Sequence, residues 1–214
     1  MSGEQSAGLS AEMSAGLSAP LVGVLGGTFD PPHFGHLKAA QAALSGTDAQ
    51  QIWWLPAAAA PHKAQSAQAS AEHRFQMLKL LIEGEASMSV CDLELARGGT
   101  SYTIDTATQL LAQYPDKRFA WVIGADMVQY LPHWVEIERI SELITFIGLA
   151  RPGFELDVRA LPGFLQERIQ IVPMDECEVS STDIRAALRA GRSSDAWLPA
   201  VVRRYIEENG LYED

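Results

Sequence analysis

Two histidines three residues apart, His33 and His36, close the segment GGTFDPPHFGH, Gly26 to His36. Gly26 and Gly27 remove side chains where a backbone must pass close to a ligand. Thr28 adds a hydroxyl, and Asp30-Pro31-Pro32 fixes a turn. A helix starting near His33 would turn its free N–H groups and positive dipole end toward the same space. His33 and His36 would share one face of that helix, with His33 nearer its terminus. Two imidazoles beside a helix N-terminus form an anion site suited to charge that builds up on phosphate oxygens. A tight turn with two incidental histidines is the plainer reading of these residues. The combined pattern after a strand is far more specific than a bare Gly-Gly.

A second segment, VSSTDIR (Val179 to Arg185), follows the last apolar run and opens another helix. Ser181 is placed to cap that helix, with Thr182 in its first turn. The exposed N–H groups could hold a second phosphate, and Arg185, one turn along, could reach the same anion with its fork of donors. Taken alone, the segment reads equally as an ordinary cap followed by a surface arginine. No serine, cysteine or lysine has the setting of an activated nucleophile, so a covalent intermediate is not expected.

Apolar runs bounded by turn residues alternate with helical patterns. Strands are expected at Leu21 to Gly26, Gln51 to Pro56, Met88 to Leu95, Arg118 to Gly124, Thr145 to Ala150 and Ile169 to Pro173. Helices are expected at Phe34 to Leu44, at Glu72 to Ile82 with Phe75, Leu78 and Ile82 on one face, at Thr103 to Tyr114 and at Trp134 to Leu143. Two more close the chain, one from near Ser181 and one from about Pro199 to Asn209. This alternation predicts an α/β fold, a doubly wound parallel sheet with a small C-terminal helical part. Ligands bind such sheets at the carboxyl ends of the strands, where the strand order reverses.

The 214 residues, 47% of them hydrophobic, suffice for a sizeable core. A net charge of -11 argues against affinity gained by coating DNA or RNA phosphates. It leaves room for a small phosphorylated ligand. Cys91 and Cys177 lack CxxC spacing and read as free thiols of a cytoplasmic protein. No apolar run approaches the ~18 residues of a membrane span. Residues 1–19, with SAGLSAEM followed by SAGLSAPL, read as a flexible leader, and 20–214 as a single domain. A homo-oligomer is left open.

Together the two phosphate-type segments resemble the His-x-Gly-His nucleotidyltransferase superfamily, whose fold is Rossmann-like. The chain is similar, more narrowly, to the bacterial nicotinate-nucleotide adenylyltransferase family. The matching pieces are GGTFDPPHFGHL, PHK (Pro61 to Lys63), SYTIDT (Ser101 to Thr106), IGAD (Ile123 to Asp126), LPHW (Leu131 to Trp134), RPG (Arg151 to Gly153), SSTDIR and the ending YIEENGLY. Ala60 and Thr100 depart from residues common in the family, both in loops.

The resemblance implies adenylyl transfer from ATP to nicotinate mononucleotide. It implies that His33, His36 and Arg185 are catalytic and hold the ATP phosphates. Gly26, Gly27, Thr28 and Phe29 would approach the nucleotides through backbone, Asp126 would meet the ATP ribose beside Gly124, and Ser181 and Thr182 would add phosphate contacts. Ser101, Tyr102, Thr103 and Trp134 would take the pyridine end, with Lys63 and Arg151 at the mononucleotide phosphate. Trp134 reads equally as core, Lys63 as a solvated loop charge and Asp126 as a helix cap. Mg²⁺ would accompany ATP on phosphates and water, with no dedicated protein metal site. The amide mononucleotide as acceptor, and a catalytically silent nucleotide-binding domain, are the alternatives.

Overall fold

The computed structural model describes residues 19–59, 67–151, 153, 157–175, 177 and 179–213. Lys63 and the first eighteen residues of the expected leader lie outside the described residues.

Six strands form one parallel sheet: β1 (Leu21–Gly27), β2 (Ala49–Pro56), β3 (Met88–Val90), β4 (Arg118–Gly124), β5 (Thr145–Ala150) and β6 (Ile169–Pro173). Their order is β3-β2-β1-β4-β5-β6. The chain therefore grows outward from β1 in one direction, then restarts on its other side with β4. The order reverses between β1 and β4, which pair from Leu21 with Arg118 to Leu25 with Val122.

Side chains alternate faces along a strand, so a sheet covered on both sides needs nearly continuous apolar strands. The two cores divide the strands in this way. Leu21, Leu25, Ile52, Trp54, Ala120, Val122, Ile147 and Leu149 enter one core. Val22, Val24, Trp53, Leu55, Phe119, Trp121 and Phe146 enter the other. Trp53 and Trp54 thus serve opposite cores, as their packing role in a strand predicts.

The first core is covered by α1 (Phe34–Gly46), α2 (Ala71–Leu81), α8 (Ser181–Arg189) and α9 (Ala200–Glu208). The second is covered by α4 (Thr103–Gln113), α5 (Ala125–Tyr130), α6 (Ile137–Leu143) and α7 (Gly163–Gln166). The fold is the expected doubly wound α/β sheet, and its C-terminal helices close over the first core.

Several boundaries differ from the periodicity. The third strand stops at Val90, and Leu93–Arg97 forms a short helix, α3. Leu93 and Leu95 imitate strand alternation, but Ala96 N–H donates to Asp92 O and Gly98 N–H to Glu94 O, closing helical turns. The segment expected as one helix from Trp134 begins at Ile137, because Glu136 takes a left-handed conformation (φ 55°). The short α5 directly after β4 has too few turns to show a period. On α2 the buried face is Arg74, Met77, Leu78 and Leu81, while Phe75 lies half-buried under Lys79. A charged residue occupies a core position there, which hydrophobic periodicity cannot register.

Arg74 is 2% exposed. Its Nη1 donates to Thr28 O at 2.8 Å and to Ala57 O at 2.9 Å, tying together the chain ends that leave β1 and β2. Replacing it by Met keeps the volume and strands two part-buried carbonyls. Arg74→Met is expected to cost about 2–4 kcal/mol of stability in urea unfolding. A loss under about 0.5 kcal/mol, typical of a surface site, would refute this role.

Candidate active site

β1 ends in Gly26 and Gly27, and the loop that follows is held from beneath. Phe29 has a left-handed backbone (φ 51°) and a fully buried ring. That ring meets Trp54 at 5.6 Å and stands edge-on to His36 at 4.9 Å. A non-glycine residue in this region is uncommon and is kept there by its packing. The resemblance implies a role for Phe29 through its backbone, and its side chain is committed to the core. Thr28 Oγ1 is buried with no hydrogen-bond partner among the described residues.

The helix expected near His33 is capped by His33 itself. His33 Nδ1 accepts from Gly35 N–H at 3.1 Å, and His36 Nδ1 accepts from His33 N–H at 3.3 Å. This is a reciprocal capping box made by two imidazoles. Its chemical consequence is a fixed tautomer. A neutral ring whose Nδ1 accepts must carry its proton on Nε2, so in each ring the Nε2–H lies outside the cap. The rings lie 3.8 Å apart. A Cβ on Gly35 would come within 3.0 Å of the His33 ring and 3.2 Å of Val179, which accounts for glycine between the histidines. Burial lowers the His33 pKa from 6.5 to about 4. His33 is therefore a neutral donor near pH 7.

The second segment meets the first, 150 residues earlier in the chain. Ser181 Oγ donates to Pro31 O at 2.9 Å, and Arg185 Nη1 donates to Asp30 O at 2.6 Å. Val179 packs against the start of α1. The expected cap is displaced by one residue: Ser180, not Ser181, caps α8 by accepting from Asp183 N–H. Ser181 is freed by that shift to bond the Pro31 carbonyl. Thr182 is exposed in the first turn, and its hydroxyl accepts from Arg185 Nη2 at 3.3 Å.

Asp30 joins these pieces. It is 4% exposed and its oxygens accept from Gln68 N–H (2.8 Å), Ala69 N–H (3.0 Å) and Tyr212 O–H (2.8 Å). Arg185 Nη1 lies 3.9 Å from Oδ2. In the sequence Asp30 reads only as a turn residue, and nothing there gives a role to Tyr212 or Arg74. The first could be read from an acid in the middle of a buried motif. The other two come from distant elements and carry no local signal.

Across the sheet switch, Gly124 ends β4 and Asp126 opens α5. Asp126 makes no side-chain cap; Gly124 is the N-cap residue. The Asp126 carboxylate lies over Gly124, where an added Cβ would come within 2.8 Å of Oδ1. It is thus held at the carboxyl end of β4, next to that of β1. Ser101 lies beside the loop after β2: Ala58 N–H donates to its hydroxyl at 3.2 Å, and its own N–H to Ala59 O at 2.9 Å. Tyr102 precedes α4 and is exposed, and Thr103 is its first residue. Among the described residues no side chain caps that helix. Trp134 is half-buried and edge-on to Phe146 at 6.3 Å, with Nε1 buried and unpartnered among the described residues. Arg151 follows β5 and is exposed. The structure thus gathers the two phosphate-type segments around Asp30, and places Gly124, Asp126 and Ser101 at neighbouring strand ends.

A parallel sheet of this order with such a site defines a nucleotidyltransferase-type chain. A family model described as cytidylyltransferase-like matches residues 24–187. The chain is 43% identical over 192 residues to a Bacillus cereus (strain G9842) protein named "Probable nicotinate-nucleotide adenylyltransferase", covering 90% of this chain and 98% of that one. A Bacillus anthracis (strain CDC 684 / NRRL 3495) protein of the same name matches equally. The chain belongs to the nicotinate-nucleotide adenylyltransferase family. Its fold is shared with Plasmodium falciparum nicotinic acid mononucleotide adenylyltransferase. The structure of that enzyme complexed with APC superposes with a TM-score of 0.72 at 18% identity, covering 90% of this chain and 97% of that one. The one complexed with NaAD gives 0.71 at 19%, with the same coverage.

The buried His33 sets a pH dependence. Below pH 6.5 the unfolded chain binds a proton at this histidine that the folded chain refuses until pH falls to about 4. Stability is therefore full above pH 6.5 and falls as pH drops through that window. At pH 4.5 the wild type should have lost about 2–3 kcal/mol more, relative to pH 7, than His33→Gln in parallel urea titrations. Equal losses in the two proteins would overturn the assignment.

Proposed function

We propose that the chain carries out its family's reaction, the transfer of the adenylyl group of ATP to nicotinate mononucleotide in NAD biosynthesis, by direct in-line attack. A phosphate oxygen of the mononucleotide forms a bond to the α-phosphorus, and the bond to the β-phosphate oxygen breaks. Deamido-NAD forms and pyrophosphate leaves. The nucleophile is already ionised, so no general base is needed, and catalysis consists of alignment and stabilisation of charge. The observation that carries this reading is the meeting of the α1 and α8 termini at the strand-order reversal, with two imidazole Nε2–H donors and Arg185 beside them.

In this reading His33, His36 and Arg185 hold the triphosphate, and Ser181 and Thr182 supply contacts from the α8 terminus. Gly26, Gly27, Thr28 and Phe29 line the backbone approach, the unpartnered Thr28 hydroxyl offering one contact to a nucleotide. Asp126 receives the ribose beside Gly124. Mg²⁺ enters as part of the ATP complex. In this reading the ion is held on phosphates and water, and both Asp30 oxygens already accept from protein donors. The acceptor's pyridine ring lies toward Trp134, with Lys63 and Arg151 for its phosphate. The uncapped α4 terminus at Tyr102 and Thr103 suits a ring carboxylate, since an anion gains there from helix N–H groups and dipole. Two free thiols agree with a cytoplasmic location.

Two measurements test the reading. His36→Ala should lower kcat for pyrophosphate release by about 10²–10³-fold while far-ultraviolet circular dichroism is unchanged. Near-normal turnover would sink the catalytic role of the histidine pair. The wild type should show kcat/KM for nicotinate mononucleotide at least ~10-fold above that for the amide, an advantage of 1.4 kcal/mol or more from the α4 terminus. Equal use of the amide would remove Tyr102 and Thr103 from the acceptor site.

A further inference from the structure

We propose that Tyr212, near the end of the chain, is a positioning residue for adenylyl transfer, acting through Asp30 on Arg185 and on the chain that returns from the loop after β2. The proposal rests on the reaction above, and it concerns a residue outside every motif assigned to substrate. Tyr212 is buried in the first core, and its hydroxyl donates to Asp30 Oδ1 at 2.8 Å. Burial and the adjacent carboxylate raise its pKa, so it remains a donor. The same carboxylate accepts from the N–H groups of Gln68 and Ala69. The backbone oxygen of Asp30 accepts from Arg185 Nη1, so the residue that receives Tyr212 also sets one end of the guanidinium. Gln68 is fastened a second time, through its side chain to Arg189 on α8.

Three elements therefore converge on one buried acid: the tail, α8 and the end of the loop after β2. Both Asp30 oxygens must be satisfied in a site that excludes water. Without the hydroxyl, Oδ1 keeps Ala69 N–H alone. The cheapest repair is a turn of the carboxylate toward Arg185, which lies 3.9 Å from Oδ2. That movement would draw the guanidinium away from the phosphates at the moment charge builds on the leaving group. The effect belongs in kcat more than in the binding of ATP.

The test compares the wild type with three full-length variants, each assayed by pyrophosphate release well below its own Tm. Tyr212→Phe keeps the packing and removes the hydroxyl. Tyr205→Phe is the control: its hydroxyl meets His73 Nδ1 at 2.9 Å and also fastens the C-terminal helix, but away from Asp30. Tyr212→Phe is expected to lower kcat about 10-fold with KM for ATP within about threefold, and Tyr205→Phe to match the wild type. Tyr212→Leu, which also lacks the hydroxyl, should reproduce the kcat loss and stands in if the Phe variant does not fold. Unchanged kcat in the Tyr212 variants would overturn the proposal, as would an equal loss in Tyr205→Phe, which would mean general anchoring of the tail. Absence of pyrophosphate release in the wild type would instead defeat the reaction assignment, and so separates the two failures.

Discussion

A carboxylate buried to the extent of Asp30 must find donors for its oxygens from the fold itself. It finds them on segments far apart in sequence: Gln68 and Ala69 before α2, and Tyr212 past α9. Its backbone carbonyl adds Arg185 of α8. These segments meet around one side chain three residues past the end of β1. Arg74 supports the same loop from the other side, through the Thr28 and Ala57 carbonyls. The phosphate-type loop is thus clamped at Thr28 and at Asp30, and the histidine pair begins three residues beyond the second clamp. The positions of His33 and His36 therefore rest on groups outside the histidine pair.

The sheet explains why that clamp sits where it does. With β1 central and the order reversing toward β4, the chains leaving these two strands diverge to opposite faces and leave a crevice. Gly26 and Gly124 are the exposed strand ends there. The two apolar cores on either side are built from alternate residues of the same strands, so the crevice floor cannot shift without disturbing both. A rigid floor and a clamped loop suit chemistry that works by alignment.

Strand positions were readable because a sheet covered on both faces leaves continuous apolar runs, such as RFAWVIG and TFIGLA. The two phosphate-type segments were readable because their spacing is local: His33 and His36 share one turn, and Thr182 and Arg185 share another. Short helices were not. Five- and six-residue elements such as α3 and α5 have no period to detect, and Leu93 with Leu95 imitated a strand. The one-residue error at Ser180 arose because neighbouring serines are equal as caps, and only the Pro31 carbonyl distinguishes them. Arg74 and Tyr212 were invisible for a different reason. Their significance lies in partners 17 to 182 residues away, and nothing in the flanking sequence encodes those partners.

The neutral state of His33 bears on how such a site turns over. Two imidazoles 3.8 Å apart repel if both are charged, and burial already holds one of them neutral. In the proposed reaction they would offer phosphate directed hydrogen bonding, with tautomers set by the capping box rather than by the ligand. Fixed positive charge binds a triphosphate and its pyrophosphate product tightly in the ground state, and uniform binding of that kind does not lower the barrier. Preset N–H donors gain most when charge concentrates on the oxygens they face. In the proposed reaction, directed donation from the histidines beside the fixed charge of Arg185 would therefore favour the transition state over both substrate and product.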